Sequence, residues 1–347
     1  MPDSVRNALV ENADKAVAYC DLKGMPAARE AIWAYEQSKG ITSFTPDDIY
    51  IGNGVSELAP MCLTALLNPG DDSLWTNAAY LAEATPVFYR CHQENNWQPD
   101  PEEIKSLITE RTRAILIINP NNPTGVIYGP ELLKELVEVA RENKLLIFSD
   151  EIYDRLLLGD AVHVSTASLC PDLPVITFNG LSKSHVVCGF RCGWMCVSGP
   201  DELTKDYKAA LTALAAMRLC GNALTQLVIP AALEDSAYTK QMMSPGGRLY
   251  EQSKAACDAL EKIPGLTFVR NQAAFYVFPK LDIEQFGITD DRKFALDLLH
   301  EKHILLVAGS GFDWPEPDHF RLVLLPEAQE LKKAIEDIGD FLSTYHQ

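Results

Sequence analysis

The chain has 347 residues, enough for about two domains and a sizeable core. Hydrophobic residues make up 47% of the sequence and charged residues 22%, close to the average of globular proteins, which excludes a disordered or fibrous chain. The 30 Lys and Arg against 48 Asp and Glu give a net charge of −18, which disfavours nucleic acid and anionic membranes as partners but is compatible with a basic pocket for a phosphate-bearing ligand.

The sequence shows no pattern typical of a targeting or membrane segment. Residues 1–6 lack the apolar core of a signal peptide, and no apolar run approaches the roughly 18 residues that span a bilayer, so we expect a cytoplasmic protein. The nine cysteines lie mostly in apolar stretches, as reduced core thiols do. Cys188, Cys192 and Cys196 match no common zinc pattern, and we predict no metal site.

Short apolar runs alternate with helical patterns through the middle of the chain. Each run ends in small or polar residues, which is typical of strands connected through helices. The alternation predicts an α/β fold with a mostly parallel sheet and helices on both faces. The predicted strands are 49–51, 114–118, 145–148 and 174–178, and the predicted helices between them include 55–67 and 130–143.

A different pattern begins near residue 235. A long helical pattern over 247–263 is followed by strand patterns at 266–269, 274–278 and 320–325, which predicts a smaller α+β domain. We therefore divide the chain into an N-terminal segment (1–19), a large domain (20–235) and a small C-terminal domain (236–347).

Four polar segments follow or flank the predicted strands. They are 119–125 (NPNNPTG), 149–153 (SDEIY), 181–183 (LSK) and 189–191 (GFR). Ligands of open parallel sheets bind beyond the carboxyl ends of the strands, so we expect these segments to form one site. Lys183, at the end of a buried strand, can form a Schiff base with an aldehyde and later move a proton, although a single Lys in such a place is usually a surface residue.

Taken together, the four segments resemble the pyridoxal-phosphate aminotransferases of class I, fold type I. Segments 18–24, 49–58 and 178–194 are most similar to the bacterial glutamate–pyruvate (alanine) aminotransferase branch, and the resemblance covers essentially the whole chain. It implies the fold type I architecture, pyridoxal 5'-phosphate as the cofactor, and an amino acid and a 2-oxo acid as substrates.

The resemblance implies roles around the ring of the cofactor. Lys183 is the implied Schiff-base lysine and proton shuttle, and Asp150 is implied beside the pyridine nitrogen, whose protonated form a carboxylate favours. Asp150 could also be a helix N-cap after the strand. Tyr153 and Asn122 are implied hydrogen-bond partners of the phenolic oxygen, although Asn-Pro pairs are common in turns and a Tyr at this spacing is more often a packing residue.

The phosphate of the cofactor requires backbone N–H donors and a cation. Gly54, Val55 and Ser56 provide a glycine turn and the start of a helix, where unpaired N–H groups can face an anion. Arg191, eight residues after the implied Schiff-base lysine, matches the phosphate-binding Arg of the family, and its fork suits a phosphate. Ser182 is a further implied phosphate contact.

Two more residues match positions of the family outside these segments. Tyr19 resembles the Tyr that reaches the phosphate of the neighbouring subunit, which implies a homodimer with shared active sites. Arg321 matches the Arg that binds the α-carboxylate of both substrates, with Asn122 as a second substrate contact, and the alternative for Arg321 is a strand residue that faces solvent.

Two stretches depart from the family pattern. The family has an N-terminal arm that closes over the substrate, whereas this chain starts near the first helix. After 68–71 the family has a strand and a loop whose aromatic residue stacks on the pyridine ring, whereas here Asp72 leads directly into 73–77, which resembles the helix beyond that loop. We therefore expect the sheet to lack an interior strand, with Trp75 or Tyr80 as the replacement for the stacking residue.

The sequence thus predicts a cytoplasmic, homodimeric pyridoxal-phosphate aminotransferase that exchanges the amino group between alanine and 2-oxoglutarate through a Lys183 Schiff base. Three alternatives remain open at this point: an aminotransferase for other amino acids, a pyridoxal-phosphate β-lyase, and a truncated, catalytically impaired homologue.

Overall fold

The computed structural model of the chain describes residues 1–74 and 78–347. No helix in these two ranges is long and apolar enough to cross a membrane. The helices are α1 (Asp3–Asn12), α2 (Pro26–Ser38), α3 (Val55–Leu66), α4 (Ala78–Leu81), α5 (Pro101–Leu107), α6 (Pro130–Glu142), α7 (Leu181–Ser184), α8 (Asp201–Met217), α9 (Ala223–Gln226), α10 (Ile229–Glu234), α11 (Ser236–Met243), α12 (Arg248–Leu260), α13 (Ile283–Phe286), α14 (Asp291–Lys302) and α15 (Ala328–Thr344). The strands are β1 (Ile49–Gly52), β2 (Asp72–Leu74), β3 (Thr85–Pro86), β4 (Thr112–Ile118), β5 (Leu146–Asp150), β6 (Val175–Gly180), β7 (Gly193–Ser198), β8 (Leu266–Thr267), β9 (Tyr276–Val277), β10 (Lys280–Leu281), β11 (Val307–Ala308) and β12 (Phe320–Val323).

The described residues form a seven-stranded central sheet in the order β1-β7-β6-β5-β4-β2-β3. Strands β6, β5, β4, β2 and β3 run parallel, whereas β7 is antiparallel to both β1 and β6. The four predicted strands of the large domain correspond to β1, β4, β5 and β6, and β7 is a strand that the sequence patterns missed. The predicted mostly parallel sheet is confirmed.

Hydrophobic side chains cover both faces of this sheet. Along β4, Ile115 and Ile117 pack in one hydrophobic cluster and Leu116 packs in another. Successive side chains of a strand point to opposite faces, so both faces are buried. Helix α6 contributes Leu133 to the first cluster, and helix α3 contributes Leu58 to the second. Helices therefore lie on both faces, as predicted.

The C-terminal part of the chain has its own hydrophobic cluster. Phe294, Phe320 and Phe341 of α14, β12 and α15 pack together there, beside a three-stranded sheet in the order β11-β12-β9. This agrees with the predicted smaller α+β region. The same cluster also includes Ile152 and Tyr153, which follow β5, so packing is continuous between the two parts and the boundary at residue 235 stays a prediction.

The expected loss of an interior strand is wrong. Residues Asp72–Leu74 form β2, which pairs in parallel with β4 on one side and with β3 on the other. The Asp72 N–H donates to the carbonyl of Arg111 at 3.0 Å, and the Thr85 N–H donates to the carbonyl of Asp71 at 2.9 Å. Three residues therefore suffice to occupy the interior position, because each side of a short strand can still pair its backbone groups.

Candidate active site

Three glycines lie side by side at one edge of the central sheet. Gly193 pairs with Gly52 of β1 on one side and with Gly180 of β6 on the other. A Cβ on Gly193 would lie 2.8 Å from the backbone nitrogen of Val55, and one on Gly180 would lie 2.6 Å from the carbonyl oxygen of Cys192. Any larger residue would force these chains apart, so the glycines allow the segments after β1 and β6 and before β7 to meet.

The strands β4 and β5 end at the same edge. Ile118, the last residue of β4, pairs with Asp150, the last residue of β5, and Asp150 pairs with Phe178 of β6. The loop that carries Asn122 and the segment that carries Tyr153 begin from these ends. The structure thus brings the four polar segments together, as expected from the direction of the strands.

Arg191 and the start of helix α3 form a cationic cradle. Gly54 precedes the helix with φ +85°, and a Cβ at Gly54 would lie 2.6 Å from Nη2 of Arg191. Val55 and Ser56 are the first two residues of the helix, whose N-terminal N–H groups have no acceptor within the helix, and no side chain in the described ranges caps them. Arg191 is exposed, and it forms no ion pair with a carboxylate of the described residues. Ser182 is half-buried on α7, the short helix after β6.

Asp150 is held in an environment that disfavours its negative charge. Burial raises the pKa of its carboxyl to about 6, although the N–H of Ile152 donates to Oδ1 at 3.1 Å and partly offsets the burial. The neighbouring charge of Glu151 raises this pKa further, whereas Lys183 lowers it. A cation placed next to Asp150 would therefore stabilise the carboxylate.

Lys183 lies among aromatic side chains. Its Nζ is 3.4 Å from the hydroxyl of Tyr276, 5.9 Å from the ring centre of Tyr153 and 5.8 Å from that of Phe275. The hydroxyls of Tyr276 and Tyr153 are 3.1 Å apart, and burial together with Tyr276 raises the pKa of Tyr153 well above its usual value. Tyr153 is thus a neutral phenol that can donate a hydrogen bond.

Arg321 lies between two aromatic rings and Asn122. Its guanidinium carbon is 4.7 Å from the ring centre of Tyr276 and 4.8 Å from that of Phe312. Nη1 donates to Oδ1 of Asn122 at 2.9 Å, which leaves the Asn122 Nδ2 group as the free donor of that amide. Nε of Arg321 is buried without a hydrogen-bond partner among the residues described. This arrangement presents a fixed guanidinium fork, which is suited to a carboxylate.

Two residues named from the sequence, Tyr19 and Tyr80, lie outside this set of contacts. Tyr19 is 81% exposed, in the segment between α1 and α2. Tyr80 is 63% exposed on α4. Trp75, the other expected replacement for the stacking residue, lies outside the described residues.

A buried ionic network lies next to the site and includes residues that follow β5. Nζ of Lys39 lies 2.5 Å from Glu36, 3.0 Å from Glu151 and 3.0 Å from Asp154. Burial alone would lower the pKa of Lys39, but the three carboxylates raise it well above its usual value. Asn179 donates to Asp154 at 2.8 Å, so the network joins the residues after β5 to the end of β6.

Tyr276 and Phe312 are the site residues that the sequence did not indicate. Tyr276 belongs to β9 and pairs with Val323 of β12, the strand that carries Arg321. The only signal was that the predicted strand 274–278 contains adjacent aromatic residues, which is equally typical of a core strand.

The three cysteines at positions 188, 192 and 196 lie in different environments. Cys188 is exposed, whereas Cys192 and Cys196 are buried. Within the described ranges, no group of three or more His, Cys, Asp or Glu is arranged to hold a metal ion.

Comparison with known proteins identifies the family. A model of "Aminotransferase class I and II" matches residues 1–338. The chain belongs to this aminotransferase family. Among its relatives, the glutamate-pyruvate aminotransferase AlaA of Haemophilus influenzae is 48% identical, over 100% of this chain and 88% of that protein. An aminotransferase from Escherichia coli superposes with a TM-score of 0.98 at 47% identity, over 100% of this chain and 88% of that one. The alanine aminotransferase of Pyrococcus furiosus superposes with a TM-score of 0.93 at 36% identity, over 99% of this chain and 88% of that one.

Aminotransferases of this class use pyridoxal 5'-phosphate, and the residues of this chain fit it. The cradle at Gly54, which a Cβ would fill, sets a guanidinium opposite a helix N-terminus and suits a phosphate. The carboxyl of Asp150, with its raised pKa, suits a neighbouring pyridinium. The unpartnered Nε of Arg321 suits the carboxylate that amino and 2-oxo acids share.

Proposed function

We propose that this aminotransferase exchanges the amino group between alanine and 2-oxoglutarate. The observation that carries the reaction type is the position of Lys183. Its amine contacts the hydroxyl of Tyr276, whose ring packs against the Arg321 guanidinium, and its charge lowers the pKa of Asp150. The choice of alanine is supported by its relatives, which include a glutamate-pyruvate aminotransferase and an alanine aminotransferase.

The residues that would hold the cofactor divide between its two ends. Arg191 and the first N–H groups of α3, at Val55 and Ser56, would bind the phosphate, with Ser182 as a further donor. The Asp150 carboxylate would accept a hydrogen bond from the protonated ring nitrogen, and Tyr153 and Asn122 would donate hydrogen bonds to the phenolic oxygen. When bound, pyridoxal 5'-phosphate supplies an aldehyde that condenses with amines and a ring that accepts electrons from the α-carbon.

Lys183 would act first through its amine and then as a base. Its amine would hold the aldehyde of the cofactor, and its free Nζ would take the α-proton of the substrate and return it. The hydroxyl of Tyr276, 3.4 Å from Nζ, would orient this amine between the two positions.

Arg321 would fix the carboxylate that both substrates carry. Its Nη1 is already oriented by Asn122 at 2.9 Å, and the rings of Tyr276 and Phe312 pack against the guanidinium, which is half-buried. An ion pair in such a place is less screened than one at the surface. The same contact would serve the amino acid of one half-reaction and the 2-oxo acid of the other.

We further propose a homodimer in which Tyr19 reaches the partner's phosphate site. Val17 and Tyr19 are exposed hydrophobic residues, as are Met217 at the end of α8 and Leu219 just after it. The two segments touch, since Sγ of Cys20 lies 4.0 Å from the carbonyl oxygen of Gly221. An exposed apolar surface of this kind is typical of an interface between subunits. The cytoplasmic location expected from the sequence stays a prediction.

Visible absorbance of the purified chain with added pyridoxal 5'-phosphate tests the proposal. We expect a yellow band that fades when alanine is added and returns with 2-oxoglutarate. Lys183→Ala should abolish turnover, whereas Lys262→Ala, which removes an exposed lysine of the small domain, should leave it unchanged. Appreciable turnover by Lys183→Ala would overturn the lysine assignment, and a band that alanine leaves untouched would overturn the choice of alanine.

A further inference from the structure

His185 is a fully buried histidine two residues after the proposed Schiff-base lysine. Both of its ring nitrogens form hydrogen bonds. Nδ1 lies 2.8 Å from the hydroxyl oxygen of Ser184, and Nε2 lies 2.8 Å from the carbonyl oxygen of Ala232 on helix α10, 47 residues further along the chain. The histidine therefore links the segment that carries Lys183 to a distant helix, and the proposed reaction gives neither bond a role.

The surroundings of His185 fix its charge and its tautomer. Burial lowers the pKa of His185 to about 4, so the ring is neutral at neutral pH. A carbonyl oxygen can only accept a hydrogen bond, so Nε2 carries the ring hydrogen and donates it to Ala232. Nδ1 then accepts the hydroxyl hydrogen of Ser184, because the carbonyl oxygen of Gly180, the other acceptor near that hydroxyl, is more distant at 3.3 Å. Ser184 and His185 thus connect helix α7 to helix α10.

Helix α7 needs such connections because it is too short to be stable by itself. It has four residues, Leu181–Ser184, and a single helical turn gains little from its own hydrogen bonds. A further connection comes from Thr239 of α11, whose hydroxyl donates to the carbonyl of Ser184 at 3.0 Å. Thr239 and Ser184 are both buried. The backbone that follows Lys183 is therefore fixed to α10 and to α11.

The side chain of Lys183 is held less firmly than the backbone that carries it. Its Nζ lies 3.4 Å from the hydroxyl of Tyr276, which is longer than a typical hydrogen bond. The position of the amine therefore depends mainly on the position of helix α7. A displacement of about 1 Å between reacting groups can lower a rate roughly a hundredfold, so small movements of this helix matter for the chemistry.

We propose that His185 is a positioning residue, which holds helix α7 against α10 so that the amine of Lys183 meets its reaction partners in a reactive orientation. The inference rests on the proposed role of Lys183 and is independent of the choice of alanine as substrate. His185 acts only through the backbone of the lysine, since its hydrogen-bond partners take no part in the reaction. Loss of its hydrogen bonds should slow the steps that Lys183 performs and leave binding at Arg321 unchanged.

The rate at which the cofactor-free chain forms its bond with pyridoxal 5'-phosphate tests the position of the lysine without turnover. The yellow band is followed after rapid mixing, at cofactor concentrations that saturate the rate. His185→Phe keeps an aromatic ring but loses both hydrogen bonds, and we expect the rate to fall about tenfold. His185→Gln can place an N–H donor near the position of Nε2, and we expect its rate to lie within about threefold of the wild-type rate.

Steady-state kinetics separate positioning from substrate binding. His185→Phe should lower kcat by a similar factor, while the KM of both substrates stays within about twofold of the wild-type values. Ser184→Ala is the smaller change if His185→Phe does not fold. It removes the donor to Nδ1, and it should lower the rate of bond formation and kcat about threefold.

A variant of the C-terminal cluster controls for a general loss of stability. Ile338→Val removes one methyl group from a buried residue of α15, far along the chain from the lysine. It should lower the urea midpoint and leave the rate of bond formation unchanged.

The outcomes distinguish this inference from the proposed function. Wild-type rates of bond formation in both His185→Phe and Ser184→Ala overturn the positioning role, whichever substrate the enzyme uses. An equal slowing in Ile338→Val overturns it too, because the effect would then follow stability. A wild-type chain that forms no bond with the cofactor overturns the Lys183 assignment, and this inference with it. Slowing that is confined to the His185 and Ser184 variants, with recovery in His185→Gln, supports the inference.

Discussion

At the scale of single residues, Tyr276 contacts both the lysine proposed to react and the arginine proposed to bind the carboxylate. Its hydroxyl contacts Lys183 and Tyr153, and its ring covers one side of Arg321. We expect Tyr276→Phe to lower kcat about tenfold, because the amine loses its orienting contact, while KM changes little because the ring remains. Tyr276→Ala should also raise KM, since the guanidinium loses a stacking partner. Steady-state kinetics with alanine and 2-oxoglutarate measure both, and equal KM values for the two variants would contradict this division of roles.

Asp150 illustrates a conflict between stability and function. Its pKa is raised to about 6 from an ordinary value of 3.8, so the folded chain binds the proton more tightly than the unfolded chain does. The negative charge of Asp150 therefore lowers the free energy of unfolding. This loss is absent below pH 4, grows between pH 4 and 6, and is complete above pH 6. Asp150→Asn keeps an oxygen for the Ile152 N–H, so without cofactor this variant should be more stable than the wild type at pH 7.5, by on the order of 2 kcal/mol.

Urea unfolding of the cofactor-free chain at pH 4 and pH 7.5 measures this effect. The difference between Asp150→Asn and the wild type should be present at pH 7.5 and nearly vanish at pH 4. The same substitution should weaken binding of pyridoxal 5'-phosphate, because the pyridinium loses its carboxylate. A variant that is less stable at pH 7.5 than at pH 4, relative to the wild type, would contradict the sign of this argument.

At the scale of elements, the Lys39 network joins α2 to the ends of β5 and β6. Lys39→Met should destabilise the chain by about 3–5 kcal/mol, because three buried carboxylates lose their cation. Lys333→Met, which removes one partner of an exposed pair with Asp337 on α15, is the control and should cost less than about 1 kcal/mol. Denaturant midpoints at pH 7.5 compare the two, and similar losses for both variants would show that the network contributes no more than a surface pair.

The elements that the sequence predicted well are those whose signals are local. Strands β4, β5 and β6 are apolar runs that end in polar residues, and α6 has an amphipathic pattern that begins at a proline. The helix between β6 and β7 is the four-residue α7, so the long helical pattern that marked the other strand connections is missing before β7. The short β2 was missed because three residues carry no periodicity, and its pairing with β3 and β4 decides its structure.

At the scale of the whole molecule, the remaining gaps are contacts between residues that are distant along the chain. Tyr276 is 93 residues from Lys183 and 123 from Tyr153, and Lys39 is 112 from Glu151. No spacing rule links such positions. The segments of the candidate site were found because each is a short local pattern and the four together resemble one family, whereas the groups that orient them become visible only when the fold brings them together.

The proposed sharing of Tyr19 between subunits can be tested by mixing two defective chains. Lys183→Ala lacks the amine of its own site, and Tyr19→Ala would impair the site of its partner. In a mixed dimer, one site then carries both defects and the other carries neither. Co-expression in equal amounts, with mixed dimers forming at random, should restore about a quarter of wild-type activity.

Each variant purified alone provides the baseline, and two different affinity tags confirm that mixed dimers are present. If Tyr19 serves its own subunit instead, every site in the mixture keeps at least one defect, and activity stays at the level set by the Tyr19→Ala sites. Recovery above that level requires a tyrosine that crosses the interface, because no other exchange of parts yields an intact site. This outcome would also explain why a side chain with 81% of its surface exposed lies beside exposed hydrophobic residues.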